Sequence, residues 1–145
     1  MADLHFSIQI SAPRAKVWDT MLSDATYREW TSVFMPGSYF KGDWSEGSKM
    51  LFLGPNESGE GEGGMVSRVK ENRPGEFISL EHLAEIRDGV ETPWGNAGFE
   101  NYTFKDSEEG TEVQIDILNL PEEYADMFND SWPAALQKLK ELAEK

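Results

Sequence analysis

The 145-residue chain contains no cysteine, which excludes a disulfide framework, a thiolate metal site and a cysteine nucleophile. Imidazole is almost as scarce. His5 and His82 are the only histidines, and neither an HExxH pair nor a spaced Asp/Asn loop with its glycine is present, so no metal and no other cofactor is expected. Only a carboxylate-only site stays open. Long apolar runs are missing as well: Met50-Leu51-Phe52-Leu53 is typical of the longest, against the roughly 20 residues of a membrane-crossing helix. The opening MADLHFSIQI has neither the basic stretch nor the apolar block of a secretion signal. A cytoplasmic protein with no membrane span is therefore expected. The sequons at Asn56, Asn101 and Asn129 are then chance occurrences, because glycosylation requires a secretory route.

Positive charge is the other shortage. Thirteen Lys and Arg face 27 Asp and Glu for a net charge of -14, and residues 51–145 carry -13 of it. A phosphate backbone would be repelled over most of such a surface, so nucleic acid is not an expected partner. The acidic later half reads as a solvated face before it reads as a docking surface for a basic partner. What is present is core material: 39% hydrophobic residues, 12% of all residues aromatic, and five tryptophans. At this length one domain over residues 1–145 is expected, burying roughly 70% of the surface of its unfolded chain.

Leu4, Phe6, Ile8 and Ile10 alternate with polar residues, which predicts a half-buried strand with His5 pointing outward. Ser11-Ala12-Pro13 opens a short helix carrying Val17, Trp18, Met21 and Leu22 on one face. Ser23-Asp24 can cap a second, with Tyr27, Trp30, Thr31 and Phe34 along one side up to Pro36-Gly37. Six strand-length segments follow: 39–44, 49–53, 64–70, 76–86, 99–105 and 111–117. After Pro121 an apolar stripe through Tyr124, Phe128, Trp132, Leu136, Leu139 and Leu142 has the period of a helix. Pro133 predicts a break or kink near Asp130-Ser131. The fold class is thus α+β, a seven-stranded antiparallel sheet with a long C-terminal helix on one side and a wedge between them where a ligand would go.

The run from Gly59 to Gly64 satisfies the G-x-G-x-x-G spacing. The residues after it read as a strand and its glutamates would repel a pyrophosphate, so a hairpin loop is expected and a nucleotide site is not. His82 shares strand parity with Ile78, Leu80, Ala84 and Ile86, which predicts partial burial. Glu100 shares parity with Tyr102 and Phe104, and a hairpin centred near Glu91 would place His82 opposite Glu100. No Ser, Cys or Lys nucleophile is recognisable beside this pair, so no catalytic residue is assigned and a structural or ligand-anchoring role comes first. The candidate cavity residues are Trp30, Phe34, Phe40, Met65, Leu80, His82, Glu100, Tyr102, Phe128 and Trp132. Stiff aromatic walls with adaptable methionines suit an apolar guest.

Several segments together carry a family resemblance: Ser11-Ala12-Pro13 to Val17-Trp18, Tyr27-Arg28-Glu29-Trp30, Pro36-Gly37-Ser38, Gly42-Asp43-Trp44, Asn72-Arg73-Pro74, Ile78-Ser79-x-Glu81-His82, Glu100-Asn101-Tyr102 and Trp132-Pro133-x-Ala135-Leu136. The chain resembles the START-like (SRPBCC) superfamily, in its branch of activator-of-heat-shock-chaperone-ATPase homologues, from about Phe6 to Glu144. The resemblance implies the helix-grip fold, a seven-stranded sheet wrapped round a long C-terminal helix. It also implies a cavity for a small hydrophobic molecule of lipid or polyketide type, and it carries over no shared catalytic set. Three functional expectations follow, in this order. The first is binding of a small hydrophobic ligand with His82 and Glu100 as polar anchor. The second is a cyclase-like, aromatase-like or hydrolytic enzyme using the same pair, and the third a co-chaperone-type protein-binding module. Monomer and homodimer are both open.

Overall fold

The alternation that defines the sheet is cleanest in β7 (Gly110–Leu120), where Thr111, Val113, Ile115 and Ile117 are buried and the residues between them half-exposed. A computed structural model describes residues 2–56 and 60–145, and it builds the rest of the sheet on this pattern. β1 (Ala2–Ile10) pairs with β7, placing Phe6 opposite Ile115 and Ile8 opposite Val113. Then β6 (Val90–Ser107), β5 (Phe77–Arg87), β4 (Glu62–Arg73), β3 (Lys49–Pro55) and β2 (Tyr39–Lys41) follow in antiparallel order, seven strands in all. His5 faces outward, its Nδ1 2.7 Å from Asp116 Oδ1. Gly59, the first residue of the expected glycine-glutamate loop, and Glu57-Ser58 of the sequon at Asn56 lie outside the described residues.

Two short helices follow β1. In α1 (Arg14–Leu22) Val17, Met21 and Leu22 are buried, and in α2 (Asp24–Trp30) Tyr27 and Trp30 are. Ser23 occupies the N-cap of α2 without a side-chain cap bond. A 3-10 turn, Thr31–Val33, continues the line. Two indoles tie the pair down: Trp30 Nε1 donates to Met21 O and Trp44 Nε1 to Leu22 O, each at 3.0 Å. A buried indole N–H needs such a partner.

The C-terminal helix α3 (Ala125–Ala143) lies along the sheet beside β1, α1 and α2 and buries Trp132, Ala135, Leu136, Leu139 and Ala143. The break expected at Pro133 does not occur, and the helix runs through the proline. Pro133 and Asn129 both face outward, so the Asn129 carbonyl, deprived of its helical partner, meets water instead of the core.

Register departs from expectation in β5 and β6. The β5–β6 turn is Asp88-Gly89, with φ of 51° and 82°, the left-handed pair of a two-residue hairpin. Nine further residues of β6, from Val90, precede the segment expected at Phe99, and β2 is shorter than expected. A bulge between His82 and Ala84 then shifts both neighbouring ladders. His82 lies opposite Gly98 and Leu80 opposite Glu100, so His82 and Glu100 are diagonal neighbours rather than a direct pair. Beyond the bulge the parity also fails. Met65 and Glu85 pair in register and line one groove, so Ala84, opposite Val66, points to the other face with it.

Candidate functional site

Between the concave face of the sheet and the first half of α3 lies a cavity of about 220 Å³. α2 and the 3-10 turn contribute Tyr27, Trp30 and Thr31 to its wall, with Phe34, Met35 and Ser38 from the segment after them. The strands contribute Phe52, Met65, His82, Glu100 and Tyr102, and α3 closes the wall with Met127, Phe128 and Trp132. Tyr27, Met35, Phe52, Met65, Met127 and Phe128 also border a wider groove of about 960 Å³ that reaches Gly64, Glu85, Arg87 and Tyr124. The groove is an approach to the cavity. Its floor is narrow at Gly64, where a Cβ would stand 1.8 Å from Phe52 O, so only glycine lets β3 and β4 run this close.

The rings meet at angles around the cavity, Trp132 edge to face with Phe34 and Tyr102 and tilted against Trp30. Trp132 lies 5.1 Å from Phe34, 5.8 Å from Trp30 and 6.0 Å from Tyr102 between centroids. Stiff rings meeting at angles of 72°, 40° and 64° cannot interdigitate as aliphatic side chains do. Trp132 Nε1 is buried and has no partner among the described residues.

The polar groups form a short line. Ser67 Oγ is 2.5 Å from His82 Nδ1, His82 Nε2 is 3.8 Å from Glu100 Oε1, and Tyr102 OH donates to Glu100 Oε2. Ser67 is fully buried and Nδ1 is the partner of its hydroxyl. In the tautomer that lets the buried Ser67 hydroxyl donate to Nδ1, His82 carries a proton on Nε2. That N–H faces a carboxylate too distant for a hydrogen bond. Burial, and after it the negative charge of Glu100, pushes both the Tyr27 and the Tyr102 hydroxyl well above the ordinary phenol range. Both phenols stay protonated at neutral pH. Neither serves as a base or nucleophile there, and Tyr102 acts as a donor, to Glu100.

Hydroxyl, imidazole and carboxylate follow the order of a hydrolytic triad, yet Ser67 lies outside the cavity lining. Its oxygen is sealed between strands and cannot meet a substrate there. It orients His82 instead. Among the described residues no group of three or more His, Asp or Glu is placed to hold a metal, and no helix is long and apolar enough to cross a membrane.

Of the residues expected at the cavity, Trp30, Phe34, Met65, His82, Glu100, Tyr102, Phe128 and Trp132 stand in its wall. Leu80 and Phe40 do not. Leu80 has the expected parity but is fully covered, at 0% exposure, while Phe40 packs on Tyr27 and Trp44 at centroid distances of 4.9 and 5.0 Å. Sequence reasoning left out Tyr27, Phe52 and Ser67. Tyr27 was visible on the face of Trp30. Phe52 becomes visible only once its register opposite Phe40 is known, and nothing in the sequence marks Ser67 apart from its parity with Met65.

The residues 11–144 match the family model described as Activator of Hsp90 ATPase homolog 1-like protein. No curated protein sequence matches the chain. Among solved structures, a protein from Chromobacterium violaceum is similar with a TM-score of 0.75 at 21% identity, covering 100% of this chain and 99% of that one. A protein from Mesorhizobium loti gives a TM-score of 0.72 at 14% identity, covering 97% and 96%. An AHSA1-like protein from Aeromonas hydrophila gives 0.73 at 13% identity, covering 99% and 92%. At these identities the structures share the fold, the helix-grip arrangement. With the family model matched over nearly all its length, the chain belongs to the Activator of Hsp90 ATPase homolog 1-like family.

Proposed function

We propose that this protein binds a small, largely apolar molecule in the cavity between the sheet and α3, with His82 and Glu100 as its polar anchor. The observation that carries this reading is a carboxylate and an imidazole, their side chains 13% and 8% exposed, set in a wall made mainly of aromatic rings and methionines. Burying an ion costs several kcal/mol, and a core that served packing alone would gain by replacing Glu100 with an apolar residue. The family's fold suits a ligand-binding or co-chaperone-like module, and the lined cavity favours the first. A hydrolytic reading has less support, since the hydroxyl in line with His82 is sealed from the cavity.

The test is a thermal-shift series with fatty acids, sterols, flavonoids and aromatic polyketides, since a ligand that binds only the folded chain raises its melting temperature by mass action. A saturable rise with one class is expected. No shift with any class would contradict the reading and turn attention to protein partners.

A further inference from the structure

We infer that the molecule taken by this cavity carries a neutral hydroxyl at its leading end, seated between His82 Nε2–H and Glu100 Oε1 on a flat body of one or two rings. The inference rests on the ligand-binding reading above and sharpens it. At the polar end a donor and an acceptor stand 3.8 Å apart. An oxygen at about 2.8 Å from each closes that triangle at an angle of roughly 85°, tighter than the tetrahedral arrangement of a hydroxyl's lone pairs and O–H bond, so a hydroxyl there accepts one bond and donates the other with both bent. The donor is fixed because Ser67 Oγ holds Nδ1 at 2.5 Å. The acceptor is fixed because Tyr102 occupies the other carboxylate oxygen.

Other head groups fit worse. A carboxylate would bring a second negative charge beside Glu100, whose field already opposes ionisation of Tyr27 and Tyr102. An ammonium group has hydrogens only and would meet the Nε2 hydrogen head on. A bare hydrocarbon would leave the N–H and the carboxylate without a partner, at a cost each time it bound. The size of the body follows from the volume. An apolar cavity of about 150 Å³ takes up benzene, so about 220 Å³ accommodates one ring or two fused ones, with the groove left for any tail.

Calorimetric titration of the full chain at pH 7 with naphthalene, 2-naphthol, 2-naphthoate and 2-naphthylmethylammonium separates these cases on one common body. The expected result is 2-naphthol binding about tenfold or more tighter than naphthalene, as a charge-assisted hydrogen bond provides, with the anion and the cation no tighter than the hydrocarbon. In Glu100→Gln the preference for naphthol over naphthoate should shrink by about tenfold or more, while naphthalene binding is kept. Saturable naphthalene binding with no gain for the hydroxyl, or tightest binding of either ion, overturns the hydroxyl and leaves the ligand-binding reading intact. No binding by any of the four overturns the hydroxyl on a flat ring body, and the ligand-binding reading then stands or falls on the thermal-shift series with fatty acids and sterols. If Glu100→Gln does not fold, the two-histidine nitrogen NMR spectrum of the unaltered chain decides. His82 should show its proton on Nε2, and that signal should move with 2-naphthol. A proton on Nδ1 would refute the inference.

Discussion

The two halves of α3 meet the same sheet with different chemistry. Past Pro133 the helix offers Ala135, Leu136, Leu139 and Ala143, all at 2% exposure or less, and Lys140 Nζ reaches back to Gln9 O at 3.0 Å. Before Pro133 it offers Met127, Phe128 and Trp132, with Tyr124 just ahead of its first residue, and of these Met127 is 45% exposed and Phe128 half-buried. The aliphatic groups past Pro133 close onto the sheet at the density of a protein interior, whereas the rings before it border the cavity. One end is a closed core and the other an accessible wall. The sheet under them differs in the same sense. β1 and β7 alternate in register from Leu4 to Ile10 and from Thr111 to Ile117, slipping only at their Ala2 and Leu120 end, while β5 bulges beside His82 and presents polar groups to the rings.

The comparison breaks most sharply on large-to-small substitution. Leu139→Ala should cost about 2–5 kcal/mol in urea unfolding, because its site is fully enclosed. Phe128→Ala, whose ring already borders a cavity, should cost about 1–2 kcal/mol. Equal losses would mean the two ends are packed alike. Alkaline pH probes the aromatic end alone. The hydroxyls of Tyr27 and Tyr102 are raised above their unfolded value of 10.0, by burial first and the Glu100 charge second. Below that value both states hold the proton and nothing is lost. Above it the unfolded chain releases protons that the native state keeps, so stability falls as pH climbs toward the raised native values. The slope should reach about 1.4 kcal/mol per pH unit for each tyrosine, and Tyr27→Phe should flatten it in unfolding curves taken between pH 9 and 11.

Ser67→Ala should cost about 1–3 kcal/mol by leaving His82 Nδ1 buried without its donor. It should also free the imidazole to change tautomer, which nitrogen NMR reads directly. The smallest effect belongs to the outer face of the well-alternated strands. His5→Ala removes a contact to Asp116 from a side chain that is 64% exposed, and its cost should stay below about 1 kcal/mol.

The same contrast explains how much could be read from the sequence. Strands β1 and β7 and the leucine half of α3 announce themselves, because one periodic pattern decides each of them. At the aromatic end the residue types were legible, and the tryptophans, His82 and Glu100 drew attention at once. Their mutual geometry was not. The Asp88-Gly89 hairpin signal sets the β5–β6 register, and centring the hairpin near Glu91 instead placed His82 opposite Glu100. The bulge at Leu83 has no sequence mark and turns Ala84 to the other face. Pro133 pointed to a broken helix only as long as its surroundings were unknown. Where its deprived carbonyl faces water, the helix continues.

The most direct test of an accessible wall at one end only is a proton-nitrogen NMR titration of the five tryptophan indoles with naphthalene. Trp30 and Trp132 line the cavity, whereas Trp18, Trp44 and Trp94 do not. Saturable shifts confined to the signals of Trp30 and Trp132 are the predicted result. Shifts spread over all the indoles, or none at any concentration, would contradict the account.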